Sequence, residues 1–134
     1  MSKSAQDHNS RILLTDDTET IRKKIRSAVT DADRTITYDP EKRPGTSNLL
    51  TIYSGCTGED VQKIAEKYHD SGHGVFKSDL SEVVEEMIKN PRAEFNRLRN
   101  DPNYLDAVAK EGLTKAREVS GPTLQVIRQL VGLA

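Results

Sequence analysis

The sequence predicts an all-α protein, a bundle of about five or six helices with little or no sheet and a mobile N-terminal tail. Apolar residues recur with the three- and four-residue spacing of helices along most of the 134-residue chain. Capping residues and Pro or Gly punctuate these periodic segments. The chain is 31% charged and only 4% aromatic, and it has no Trp, which is typical of a small, highly solvated helical protein.

The first predicted helix follows a polar tail (residues 1–10) and a short extended piece (residues 11–15). Early acids suit the positive end of the helix dipole: Asp16, Asp17 and Glu19. One face is apolar: Ile21, Ile25, Ala28 and Val29. The opposite face is basic: Arg22, Lys23, Lys24 and Arg26. We expect this helix to end near residues 30–32.

The segment 36–53 contains two X-Pro steps and a glycine, which favour extended or turn geometry. Thr46 or Ser47 is predicted to cap a short, buried helix over about residues 47–54. The basic turn at Lys42 and Arg43 lies just before this helix, where an anion such as phosphate is favoured. The simpler interpretation, which we prefer from sequence alone, is a loop that orients two helices with its charges in water.

Three more helical segments are predicted. Thr57-Gly58 introduces the third helix, which ends at a flexible turn over residues 71–74. Ser78 is predicted to cap the fourth helix, and Asn90-Pro91 to interrupt it. Asp101-Pro102 is a strong start signal for the last long segment, with a break or kink expected near Gly121-Pro122 and a stop at Gly132.

Catalytic or metal chemistry has little support in these residues. His69 and His73 have a metal-like spacing, but Gly72 is expected to break the helix between them, so no metal site is predicted. The single cysteine, Cys56, is predicted to be a core residue and suits a reducing compartment. No apolar run is long enough to span a membrane, and the polar start gives no sign of a signal peptide.

Basic residues total 20 against 21 acidic ones, so any site for a polyanion must come from local clustering. Two local features stand out. Lys3 lies between the hydroxyls of Ser2 and Ser4, a combination that can hold phosphate oxygens. The basic face of the first helix, together with Lys42 and Arg43, is the other candidate, for a nucleic-acid backbone.

Taken together, several stretches resemble the C-terminal part of the tryptophanyl-tRNA synthetases, which are class I aminoacyl-tRNA synthetases. In chain order these stretches are MSKS, RILLTDD, IRKKIRSAVTD, ITYDPEKRPGTSNLLTIYS, GVFKSDLSEVVEE and VGL. The resemblance covers essentially the whole chain. It implies a partial K-M-S-K-S loop and connector over residues 1–16, followed by a helical domain over residues 17–134 that resembles an anticodon-binding domain.

The resemblance also implies a role for the tail. Met1, Ser2, Lys3 and Ser4 match the last four letters of the K-M-S-K-S loop, which binds ATP in the family. Lys3 aligns with the catalytic second Lys, which stabilises the pyrophosphate leaving group. The first Lys of the motif is absent, and Ala5-Gln6 replace the usual Asp-Pro. The nucleotide-binding segment and the tryptophan pocket lie upstream in the family.

The implied function is that of the C-terminal helical portion of such a synthetase, which binds tRNA(Trp) and is inactive without a catalytic Rossmann half. ATP with Mg²⁺ belongs to the complete enzyme, and no cofactor is expected for this chain alone. A separate N-terminal half is an expected partner; a membrane and DNA are not. The alternative is a diverged, standalone interaction protein with the same fold. The expected location is the cytoplasm, or alternatively a mitochondrion or other organelle.

Overall fold

The computed structural model describes residues 7–133, and within that range the chain is all-helical, with no strand. A single-turn 3-10 helix, His8–Ser10, is followed by five α-helices. These are α1 (Thr18–Ser27), α2 (Pro44–Thr57), α3 (Val61–Tyr68), α4 (Gly72–Arg99) and α5 (Pro102–Leu130). The predicted all-α class and helix number are confirmed.

The chain divides into two compact units, the first ending at Ala93 and the second beginning at Glu94. The boundary falls within α4. In the first unit, α1 to α4 bury a continuous apolar cluster. In the second unit, residues 94–133 include no fully buried side chain. The predicted division at residue 16 is a statement about family resemblance and stays a prediction.

The core of the first unit takes side chains from all four of its helices. Its members are Ile21 and Ile25 of α1, Leu49, Leu50 and Tyr53 of α2, Ile64, Ala65 and Tyr68 of α3, Phe76, Leu80 and Val84 of α4, and Ile36 from the preceding loop. The Tyr53, Tyr68 and Phe76 rings pack with centroid separations of 5.2 to 6.2 Å. These rings therefore join α2, α3 and α4.

The α1 helix is shorter than its apolar pattern predicts. It ends at Ser27, with Ala28 as its C-terminal cap, so Val29 lies outside the helix and is 86% exposed. Placing Val29 on the buried stripe was therefore wrong. The predicted early acids do flank its start, and the side chain of Asp17 accepts a hydrogen bond from the backbone N–H of Thr20 at 2.8 Å.

The α2 helix begins at Pro44, earlier than predicted, because proline suits the first helical position, where no N–H donor is needed. Thr46 and Ser47 therefore lie inside the helix, and neither caps it. The Thr46 hydroxyl donates to Asp31 Oδ2 at 2.9 Å, and Ser47 Oγ accepts from the Asp39 N–H at 2.9 Å. Both hydroxyls fasten the preceding loop instead.

The α4 helix is continuous at two places where the sequence predicts a turn or an interruption. It begins at Gly72, so the flexible turn over residues 71–74 and the Ser78 cap were wrong. It also continues through Pro91. Of the break or kink expected near Gly121-Pro122, the break was wrong, since α5 runs to Leu130, and the kink stays a prediction. By contrast, Asp101 caps α5 as predicted, with Oδ1 accepting from the Tyr104 N–H at 3.0 Å.

Two general features of the described residues bear on function. No helix in residues 7–133 is both long enough and apolar enough to cross a membrane.

Cys56 is half-buried near the end of α2, and burial raises the pKa of its thiol. The thiol is thus held in its protonated form, as in a packing residue.

Candidate nucleic-acid interface

The basic face of α1 is narrower than the sequence predicts. Arg22, Lys23 and Arg26 are exposed, but Lys24 is buried, and its Nζ lies 2.5 Å from Asp16 Oδ2. Burial on its own would raise the pKa of Asp16. The Leu13 N–H and the Lys24 ammonium offset that effect, and the pKa falls below its ordinary value. Lys24 therefore belongs to the structural framework, while its three neighbours face solvent.

Arg22 and Arg26 line one side of a cleft of about 560 Å³, and the first turns of α4 line the other. His73, Lys77, Ser78 and Glu82 are the α4 side chains that matter to its chemistry. We call this space the α1/α4 cleft. Both walls belong to the first unit, so the cleft is a feature of one packed body.

Lys77 joins the two walls of the cleft. Its Nζ donates to the carbonyl oxygen of Ala28 at 2.7 Å and to that of Arg26 at 3.4 Å. Burial lowers the pKa of Lys77. These carbonyls lie at the C-terminal end of α1, where the helix dipole is negative, so the lysine satisfies acceptors that the helix itself leaves open.

His73 is fixed by a contact with the loop after α1. Its Nε2 lies 2.8 Å from the carbonyl oxygen of Asp33, so Nε2 carries the hydrogen and donates. Its Nδ1 is buried and has no partner among the described residues. His69 makes a separate contact, from Nδ1 to Asp70 Oδ1 at 2.8 Å. No group of three or more His, Cys, Asp or Glu side chains in residues 7–133 is arranged to hold a metal ion.

Arg43 is buried in the loop that joins α1 to α2. Its Nη2 and Nε donate to the two carboxylate oxygens of Asp31, at 2.6 and 3.1 Å, and its Nη1 donates to Thr37 Oγ1 at 2.6 Å. These bonds raise the pKa of Arg43, and they hold the pKa of Asp31 well below its usual range. Lys42, the next residue along, is exposed.

The predicted site residues therefore fall into three groups. Met1, Ser2, Lys3 and Ser4 lie outside the described residues. Arg43 uses its guanidinium within the loop, whereas Lys42 presents its ammonium group to solvent. The tRNA contact predicted for these two residues stays a prediction, and the exposed side chain of Lys42 is the better placed.

Sequence reasoning did not place Lys77, His73 and Ser78 in one site, because the early glycines of α4 suggested a turn. It considered His73 only as a metal ligand and Ser78 only as a helix cap. The signal that points to them is their spacing. His73 and Lys77 are one helical turn apart, so they share a face once the helix is extended back to Gly72.

Comparison with known families identifies the class of protein to which this helical chain belongs. The sequence profile of the tRNA synthetases class I (W and Y) matches residues 1–89. The chain belongs to this family.

Within that family the chain corresponds to the C-terminal part of the tryptophan–tRNA ligases. It is 42% identical over 134 residues to the tryptophan–tRNA ligase of Bacillus anthracis, an alignment that covers 100% of this chain and 40% of that protein. It is 42% identical over 135 residues to the mitochondrial tryptophan–tRNA ligase of Saccharomyces cerevisiae, covering 98% and 35%.

The fold agrees with this assignment. The crystal structure of tryptophanyl-tRNA synthetase from Campylobacter jejuni matches with a TM-score of 0.77 and 31% identity, over 99% of this chain and 41% of that one. The chain thus spans well under half the length of the relatives that it matches.

Proposed function

We propose that this chain acts as the helical, tRNA-binding C-terminal portion of a tryptophan–tRNA ligase. The observation that carries the proposal is the extent of similarity. The ligase from Bacillus anthracis aligns with 100% of this chain at 42% identity, yet only 40% of that ligase is represented. The reaction of the complete enzyme is the ATP-dependent attachment of tryptophan to tRNA(Trp).

The basic groups of the first unit support an RNA-binding role. RNA backbones are recognised through positive charge, and the exposed cations on α1 and in the loop supply it: Arg22, Lys23, Arg26 and Lys42. The formal net charge of the chain is −1, so this local clustering is the feature that attracts phosphate. Exposed side chains in the same unit are the candidates for reading unstacked anticodon bases.

Catalysis is proposed to require a separate Rossmann half. Orienting ATP and tryptophan for attack supplies a large share of the rate enhancement in such reactions. Lys3, with Met1, Ser2 and Ser4, is proposed to contribute to ATP binding in the assembled enzyme and to stabilise the leaving pyrophosphate by its charge. Mg²⁺ would enter with ATP. A bacterial cytosol is the proposed location, with a mitochondrion as the alternative.

The test of the binding function compares tRNA(Trp) with a non-cognate tRNA in filter-binding assays at several salt concentrations. We expect tighter binding to tRNA(Trp), with affinity that falls as salt rises. A Lys42→Gln variant should weaken binding, whereas Lys63→Gln, an exposed residue of α3, serves as the charge-matched control. Equal, weak binding to both tRNAs would contradict a specific role.

A second arm of that experiment addresses the enzyme. ATP–pyrophosphate exchange is measured for the chain alone and after addition of an N-terminal catalytic half from a tryptophan–tRNA ligase. Exchange is expected only in the mixture, and Lys3→Ala should remove most of it. Exchange by the chain alone would contradict the proposal.

A further inference from the structure

The α1/α4 cleft brings together positive charges from two helices that are far apart in sequence. Arg22 and Arg26 approach from α1 and Lys77 from α4, while Glu82 is the acidic side chain that lines the same space. Two arginines and a lysine thus face one carboxylate. Because the protein walls have a low dielectric constant, they concentrate the electric field of these cations in the opening of the cleft.

The two arginines are placed to act together. They are one helical turn apart and therefore project from the same face of α1. Arg26 makes no side-chain hydrogen bond or ion pair within residues 7–133. Arg22 has a long, solvent-exposed contact with Glu19, at 3.8 Å, and its charge also helps to lower the pKa of Glu85. Like charges at this spacing repel, so an anion bound between them would relieve an unfavourable interaction that the free protein retains.

Lys77 removes an obstacle to anion binding at this position. The C-terminal end of α1 carries unpaired carbonyl oxygens, which repel anions. Lys77 Nζ donates hydrogen bonds to the carbonyl oxygens of Ala28 and Arg26, so these oxygens are no longer unpaired. The cleft therefore presents guanidinium and ammonium groups instead of bare carbonyls. Ser78, exposed at the rim, adds a hydroxyl donor.

From this geometry we infer that the α1/α4 cleft binds a phosphodiester of the RNA backbone, with Arg22 and Arg26 as its direct ligands. Guanidinium groups suit this role because their planar, forked donors match phosphate oxygens. Lys77 and Ser78 supply further charge and hydrogen bonding. The inference rests on the proposed function, since it places one contact of the bound tRNA at a particular site.

The experiment uses the full chain in two measurements. Titration with inorganic phosphate, followed by backbone amide NMR, asks whether the cleft is an anion site; shifts should concentrate at Arg22, at Arg26 and in residues 73–78. Affinity for tRNA(Trp) is then measured against salt for Arg22→Gln, Arg26→Gln, Glu82→Gln and the control Lys63→Gln.

Each arginine variant should weaken tRNA binding roughly three- to tenfold and reduce the salt slope by about one. Glu82→Gln should strengthen binding, a change of sign that damage to the fold would not produce. Lys63→Gln should leave binding unchanged. Circular dichroism of each variant checks that α1 and α4 remain folded.

The two hypotheses fail in different ways. If tRNA(Trp) binds and the cleft variants bind it as tightly as the unmodified chain, the cleft inference is overturned while the proposed function stands. Phosphate shifts in the cleft without any effect of the arginine variants on tRNA affinity would likewise overturn the RNA contact. If the unmodified chain binds no tRNA, the proposed function fails, and phosphate shifts would support the anion site alone.

Discussion

Gly45 lies where the first turn of α2 passes closest to the chain that leaves α1. A Cβ atom at this position would lie 2.4 Å from the carbonyl oxygen of Val29, a backbone atom that cannot swing aside. The hydrogen bond from Thr46 to Asp31 draws the same two segments together. Gly45 therefore permits the approach that the Arg43–Asp31 contacts then hold in place.

The Gly45→Ala variant should be destabilised by about 1–3 kcal/mol, as expected for forcing a methyl group into a packed contact. Gly55 provides the control, because it lies in the same helix and a Cβ there meets nothing within 4 Å. Gly55→Ala should instead stabilise α2 by about 0.5–1 kcal/mol. Urea unfolding of both variants measures the two effects, and equal shifts of the same sign would contradict the close approach.

Arg43 shows why part of the site could not be predicted from sequence. Its local signals are those of an exposed basic turn, and Asp31, its principal partner, lies 12 positions earlier in the chain. Only the packed loop brings the two together. Lys24 was misplaced for the same reason, since its burial depends on Asp16. Within residues 7–133 the Lys42 side chain has no comparable partner to draw it inward, and it is exposed, as predicted.

At the scale of helices, the start signal at Asp101-Pro102 was reliable, whereas the caps predicted at Thr46 or Ser47 and at Ser78 were wrong. Asp101-Pro102 starts α5 because a side-chain acceptor and a residue without an N–H both satisfy the local needs of a helix start. Apolar periodicity located α1, α3, α4 and α5, whereas α2 was predicted as a short, buried helix after the Pro and Gly residues of segment 36–53. Helix ends were less predictable, because they depend on contacts with other elements, as the early start of α2 shows.

Pro91 illustrates how distant contacts override a local signal. Proline inside a helix costs about 3 kcal/mol, which predicted an interruption. The next residue, Arg92, donates to the carbonyl oxygen of Asp16 at 2.8 Å. It also pairs with Glu85, and its hydrogen bond lowers the pKa of Glu85. Arg92 thus fixes this part of α4 to the segment before α1. This contact helps to offset the free-energy cost of a proline inside the helix.

Pro122 lies in α5, where residues 102–130 include no buried side chain to compensate for a lost hydrogen bond. Because proline has no N–H, the carbonyl oxygen of Glu118 lacks its usual helical donor. Pro122→Ala should therefore strengthen α5, raising helix content and slowing amide exchange around residues 114–122.

The matched control for that change is Pro102→Ala, because Pro102 occupies the start of the same helix, where no hydrogen bond is missing. Its effect should be small. Circular dichroism with amide hydrogen exchange by NMR compares the two variants. Similar protection in both would show that Pro122 does not weaken the helix.

At the scale of the whole chain, the described residues include ion pairs between side chains seven to twelve positions apart. Asp16–Lys24 and Asp31–Arg43 each join a loop to another segment, whereas Glu85–Arg92 lies within α4. In each pair the acid has a lowered pKa. For Asp31 and Glu85 the arginine partner is the main cause; for Asp16, hydrogen bonds and charge outweigh burial. All three acids belong to the first unit, and their partners fix the loops around its core.

The lowered pKa values make folding sensitive to acid. An acid whose pKa is lower in the folded state stabilises the protein above its unfolded pKa, and this contribution is lost as pH falls through the folded value. Since the unfolded carboxyl pKa values lie at about 4, the free energy of unfolding should begin to fall below about pH 4. Urea unfolding at successive pH values, followed by near-ultraviolet circular dichroism of the Tyr53–Tyr68 region, measures this dependence.

The Asp31→Asn variant tests whether the Asp31–Arg43 pair contributes to the loss of stability at low pH. It should be less stable than the unmodified chain at neutral pH, because the Arg43 guanidinium loses its carboxylate partner. Its stability should also fall less steeply at acid pH. The asparagine side chain at this position cannot be protonated, so the chain takes up one proton fewer when it unfolds at low pH. Asp106→Asn, an exposed residue of α5, should retain the original slope. If Asp31→Asn and the unmodified chain lose stability with the same slope below pH 4, the Asp31–Arg43 pair is not a source of the acid sensitivity, and the loop must be held chiefly by its buried apolar contacts.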